Sequence, residues 1–193
     1  TATGGVIVSI NSAGVASFKR SGVDATETIS DALTKKFSGK DLTFSVTDVS
    51  TAGNDELVFH APDATTIKFA GSGGTGSDRY VIKIDDPDTG TVDPSDSNVD
   101  VRYLTLDTRS LSLGSDDLIV FDFAGKEDYL TLNATSNISN VSQIEVMKGT
   151  ADVRNIDLPT GTALIVNSGF KGTAEQFNNL SSVTSLSGQG EVI

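Results

Sequence analysis

Apolar residues come along this chain in short runs of β-branched and aromatic types, separated by Gly, Ser, Thr, Asn and Asp. The runs are residues 5–10 (GVIVSI), 42–49 (LTFSVTDV), 56–61 (ELVFHA), 65–70 (TTIKFA) and 79–84 (RYVIKI). They continue at 101–106 (VRYLTL), 118–123 (LIVFDF), 129–132 (YLTL), 143–148 (QIEVMK) and 163–168 (ALIVNS). Several alternate with period two, as in Leu42-Thr43-Phe44-Ser45-Val46 and Tyr103-Leu104-Thr105-Leu106. That period predicts half-buried strands, and the residues between the runs carry turn chemistry. Helical spacing is scarce. Residues 24–37 put Ile29, Leu33 and Phe37 at intervals of four, with Thr26 or Thr28 as cap. Residues 172–180 predict a second short helix, capped by Thr173 and burying Phe177 and Leu180.

The strands recur with a rhythm in which an acidic residue precedes an apolar run: Asp55, Asp78, Asp100, Asp116 and Asp128. The first two spacings are nearly equal and the later two are shorter. Windings of about twenty residues are what a parallel β-solenoid uses, each stacking its apolar face on the next. The expected fold is therefore all-β: a mostly parallel β-solenoid, or β-helix, with Gly/Asp-rich turns and one or two short helices. A β-sandwich is the alternative. The chain reads as one elongated domain. Residues 1–48 form an N-terminal cap with a short helix, 49–160 the core with its Gly/Asp turns, and 161–193 a strand–helix–strand segment.

Charge narrows the function classes. There are 26 acidic and 14 basic residues in 193, a formal net charge of −12. Phosphate binding needs clustered Lys and Arg, so nucleic acid is not an expected partner. An excess of carboxylates repels itself unless something neutralises it, which points to cations, cationic surfaces or neutral sugars. The absence of cysteine removes disulfides and thiolate metal sites. No stretch approaches the ~18 apolar residues of a membrane span. The chain opens on TATGGVIV without a methionine and reads as a mature piece or a fragment of something longer.

Residues 73–81, GGTGSDRYV, are the sharpest motif. Glycines allow positive φ and turn carbonyl oxygens inward, and the aspartate adds a carboxylate. Calcium takes such a cage of hard oxygens. A surface loop would use the same residues. The stretch fits the nonapeptide G-G-x-G-x-D-x-U-x, with Tyr80 at the aliphatic position, and so resembles the RTX (repeats-in-toxin) family of calcium-binding secreted proteins. Partial copies follow Gly53, Asp55 and Leu57, and Gly114, Asp116 and Leu118; a third, residues 123–130, keeps Gly125 with Glu127 and Asp128. Family members carry the nonapeptide in tandem, whereas these copies are isolated. The resemblance implies calcium held by Asp78 with the carbonyls of Gly73, Gly74 and Gly76, then by Asp55 and Asp116.

A second acidic stretch, 84–100, places Asp86, Asp88 and Asp93 at the spacing of a calcium loop, without the later Glu of an EF-hand. A solvated acidic linker explains it equally. The C-terminal third has a looser likeness to bacterial surface-layer and large adhesin proteins. His60 is the sole histidine and sits at a strand end, so a nucleophile–base pair is not expected. The Asp86-Pro87 and Asp93-Pro94 bonds are explained by turn-forming proline. Tyr80, Tyr103 and Tyr129 all sit in strand patterns, where core packing is the expected role. The sum is a non-enzymatic, secreted bacterial surface module that binds calcium, with self-association or a cell-surface glycan as partner. A carbohydrate-active or carbohydrate-binding β-helix is the alternative.

Overall fold

The computed structural model describes residues 7–10, 15–20, 26–29, 42–48, 54, 56–60, 65–72, 76–84, 101–123, 129–185 and 191–192. More than half of them are strand, and very little is helix. In chain order the strands are β1 (Ile7–Ile10), β2 (Val15–Arg20), β3 (Thr26–Ile29), β4 (Leu42–Asp48), β5 (Glu56–His60) and β6 (Thr65–Ser72). Then come β7 (Arg79–Ile84), β8 (Val101–Ser112), β9 (Leu118–Phe123), β10 (Tyr129–Leu132) and β11 (Gln143–Lys148). The last are β12 (Thr150–Asp152), β13 (Ala163–Val166), β14 (Gly169–Lys171), β15 (Ser182–Ser185) and β16 (Glu191–Val192). Each of the ten apolar runs holds a strand.

From β2 onward successive strands alternate between two sheets. One sheet has the order β1-β2-β4-β6-β8-β10-β12-β14-β16 and the other β15-β13-β11-β9-β7-β5-β3. Pairing is parallel throughout, except that β1 and β2 are antiparallel. Each circuit of the chain thus adds one strand to each sheet. Glu56 pairs with Arg79 and Gln143 with Ala163, each across a single circuit. Arg79 pairs with Leu118 across a longer circuit that contains residues 85–100.

Parallel register stacks like positions, so apolar residues form columns. Tyr80, Ile119, Ile144 and Leu164 lie in one column of the seven-stranded sheet and are all buried. Leu130, Ala151 and Phe170 do the same in the nine-stranded sheet. The inner faces of both sheets make one core cluster, and Phe69 meets Tyr80 across it with ring centroids 6.2 Å apart. Gly149 is the single residue between β11 and β12, where the chain leaves one sheet for the other. Its φ of +67° is open to glycine at little cost.

Helix is confined, among the described residues, to α1 (Ala174–Asn178). Thr173 caps it as expected, accepting from the Gln176 amide in a capping box. Gln176, absent from the sequence reading, is buried and donates to the Val153 and Ile156 carbonyls, fastening α1 to the preceding loop. The expected helix over 24–37 is not formed at 26–29, which are strand β3; residues 30–37 lie outside the described residues. Thr26-Glu27-Thr28-Ile29 is rich in β-branched side chains, and a parallel partner, β5, outweighs the four-residue spacing of three apolar positions.

Candidate functional site

The lead-ins to β5, β7 and β9 lie at the same end of the seven-stranded sheet, so residues 54, 77–78 and 114–117 stack at one corner. Hydrogen bonds join them. The Ser77 amide donates to Asn54 Oδ1 at 2.8 Å, one circuit back. The Asp78 amide donates to Asp117 Oδ1 at 2.9 Å, one circuit on. Asp117 Oδ2 accepts from the Gly114 amide at 2.8 Å, which closes the turn at 114–117. The Asp78 carbonyl accepts from Leu118 at 2.8 Å, and the Gln143 side chain donates to the Ser115 carbonyl at 2.7 Å, bringing in the next circuit.

Of the residues expected to bind calcium, Gly76 and Asp78 sit at this corner, Gly76 half-buried and Asp78 buried. Asp116 is on the same corner but exposed, with Ser115 Oγ at 3.4 Å from its Oδ1. Gly73, Gly74, Asp55, Asp86, Asp88 and Asp93 lie outside the described residues. Asp117, the neighbour of Asp116, is the residue that sequence reasoning missed. It is 3% exposed, and both its oxygens serve main-chain amides. Its signal was the Gly114-x-x-Asp117 spacing, which suits a side chain closing its own turn. Among the described residues no group of three or more His, Cys, Asp or Glu side chains converges as a metal site. The corner holds two buried carboxylates, Asp78 and Asp117, the second of them bonded to main-chain amides.

Two further polar features lie on the outer faces. On the seven-stranded sheet Arg79 is bonded to Glu56 at 3.1 Å and to Glu145 at 2.7 Å, and Glu145 accepts from Asn167 at 3.2 Å. The path from β7 to β11 crosses β9, whose outward Val120 is fully buried. One chain of side chains therefore ties together β5, β7 and β11, and Asn167 just past β13.

On the nine-stranded sheet the sequences Asp107-Thr108-Arg109 and Asp152-Val153-Arg154 adopt the same geometry. In each, the Arg amide and Nε donate to one carboxylate oxygen and a terminal guanidinium nitrogen to the other. The Arg109 hydrogen bond holds the Asp107 carboxyl below the usual carboxylate range, and Arg154 does the same for Asp152. Tyr80 packs in the core as expected, but Tyr103 does not. It alternates with the buried Leu104 and so points outward, 53% exposed. The side chains of His60 and Tyr129 lie outside the described residues.

Comparison of the chain with protein-family models, with curated proteins and with solved structures returns no match in any of the three. No helix among the described residues is long and apolar enough to cross a membrane.

Proposed function

We propose that this chain is a non-enzymatic, extracellular structural or adhesive module of a bacterial surface-layer or RTX-type secreted protein. In this reading its circuits form a parallel β-solenoid, and the Gly-Asp corner takes up calcium as the chain folds. The observation that carries the reading is a stack of described residues from the motif and two of its partial copies: residues 54, 77–78 and 114–117 are joined by hydrogen bonds across successive circuits. Motifs that are isolated in sequence thereby become neighbours in space, which is how a solenoid shares ions between turns. Asp78 and the carbonyls of Gly73, Gly74 and Gly76 would hold the ion, with the Asp116 carboxylate at the same corner. Asp55, Asp86, Asp88 and Asp93 are the remaining candidates.

The mechanism is linkage. An ion that binds only the folded corner stabilises it by mass action. At low calcium the acidic chain stays loose; in millimolar calcium the carboxylates are neutralised and the stack closes. The test is thermal unfolding after EGTA treatment, with calcium restored at about 0.1 to 10 mM, a range suited to extracellular sites, and magnesium as control. A calcium-specific rise in Tm that shrinks in Asp78→Ala supports the reading. An unchanged Tm contradicts it and leaves GGTGSD an ordinary turn.

A further inference from the structure

The 193 residues contain one sulfur atom, that of Met147, since the chain has a single methionine and no cysteine. It lies on the outer face of the seven-stranded sheet. In β11, Ile144 and Val146 belong to the core, so Glu145 and Met147 point the other way. The register with β9 slips between Val146, paired with Phe121, and Lys148, paired with Asp122, which leaves Met147 in a β-bulge. A bulge re-aims the side chain it carries. Met147 is 37% exposed, and its Sδ lies 3.7 Å from Arg79 Nη2. Arg79 reaches it from β7, across β9. The other two nitrogens of that guanidinium meet carboxylates: Nε meets Glu56 at 3.1 Å and Nη1 meets Glu145 at 2.7 Å. Nη2 thus faces the weakest acceptor of the three, a thioether.

We infer that Met147 is an oxidative modification site: hydrogen peroxide converts its thioether to the sulfoxide, and Arg79 takes the new oxygen. The sulfur attacks one peroxide oxygen, the O–O bond breaks, and the departing hydroxide collects the proton of the transferred oxygen and leaves as water. Sulfur gives up two electrons, and the peroxide is reduced by them. Exposure decides which sulfurs react, and this one is open to solvent. Inside a core the polar product disrupts packing. Here it forms at the surface beside a cation, and an oxygen one bond out from Sδ is within hydrogen-bond reach of Nη2. A charge-assisted bond then replaces a weak contact. The bonds to Glu56 and Glu145 use the other two nitrogens, so the new one does not compete with them. The oxidised side chain adds a tie between β7 and β11.

The inference does not depend on calcium, and its test is run in EGTA. The full chain is treated with hydrogen peroxide without denaturant, quenched, and its peptides are weighed by mass spectrometry. The peptide holding Met147 should gain one oxygen atom while the chain stays folded. The oxidised chain should melt about 2–4 °C above the untreated one, the size of one hydrogen bond in a chain of this length. Arg79→Lys keeps a cation for Glu145 but loses the three-way fork, and oxidation there should bring no rise. Met147→Gln carries an oxygen acceptor of similar reach and should melt above Met147→Leu, and neither should respond to peroxide. That exposed pair keeps the test decisive even where Arg79→Lys does not fold. No oxygen gained at Met147 in the folded chain, a Tm that does not rise on oxidation, or the same rise in Arg79→Lys each overturns the inference. Met147→Gln melting no higher than Met147→Leu overturns it as well.

Discussion

Asp116 and Asp117 are adjacent and chemically identical, yet their replacement should have very unequal consequences. Asp117 is 3% exposed, and its two oxygens take the amides of Asp78 at 2.9 Å and Gly114 at 2.8 Å. The first bond reaches from one circuit to the next and fastens the two together. Asp117→Ala strands the Asp78 amide where it is buried and the Gly114 amide where it is part-buried. A hydrogen bond to a charged acceptor contributes about 1.5–3 kcal/mol, and leaving a buried donor unsatisfied costs about 1–3 kcal/mol. With the Gly114 amide only part-buried, a total of about 3 kcal/mol is expected. Asp117→Asn keeps one acceptor oxygen and should lose about half of that. Asp116→Ala removes an exposed side chain and should stay within about 0.5 kcal/mol of the parent. Urea unfolding at neutral pH, followed by circular dichroism and fitted with a common m-value, measures all three. A loss below about 1 kcal/mol for Asp117→Ala, or equal losses at 116 and 117, would refute the assignment of Asp117 as the corner's fastener.

Gly169 faces Thr150 in register, and a Cβ there would lie 2.2 Å from Thr150 Oγ1. Gly169→Ala should therefore force β12 and β14 apart and cost about 1–3 kcal/mol, read as a fall in Tm. Arg79→Met takes the guanidinium from Glu145, whose side chain is 8% exposed, and should cost about 2 kcal/mol although the Asn167 bond stays. In double-mutant cycles the coupling of Arg79 to Glu145 should exceed that to Glu56, whose side chain is 36% exposed. Asp107 and Asp152 have folded pKa values held below the usual 3.8 by Arg109 and Arg154. Their contribution is then complete above the unfolded value and lost as pH falls through the lowered folded one. Unfolding free energy measured downward from about pH 6 should fall less steeply in Asp107→Asn with Asp152→Asn than in the parent. A parallel fall would remove these pairs from the acid response.

Much of the fold was legible because β-branched runs bounded by Gly, Asn and Asp have few other outcomes. The uneven rhythm of acidic residues has a simple origin in the alternation of sheets. Asp55 and Asp78 precede β5 and β7 of one sheet and are one circuit apart. Asp100 and Asp128 precede β8 and β10 of the other, so the steps from Asp78 to Asp100, to Asp116 and to Asp128 are all passages between sheets, the first of them containing residues 85–100. The short strands β12, β14 and β15 had no signal of their own; they form because a neighbour already offers a parallel template. At the corner, sequence pattern led to Asp116 because it matches the motif, while burial selects Asp117. Tyr103 was readable in principle: in Tyr-Leu-Thr-Leu the leucines claim the core, and alternation sends the tyrosine outward.

The most direct measurement is amide hydrogen exchange of the full chain in EGTA, in calcium and in magnesium. The corner reading expects calcium, and not magnesium, to slow exchange at residues 54, 76–79 and 114–118 together, because one stacked corner closes as a unit. The amides of Ser77 and Asp78, which already reach the neighbouring circuits, should gain most. Exchange that is identical in all three conditions, or slowed in segments remote from this corner, would contradict it.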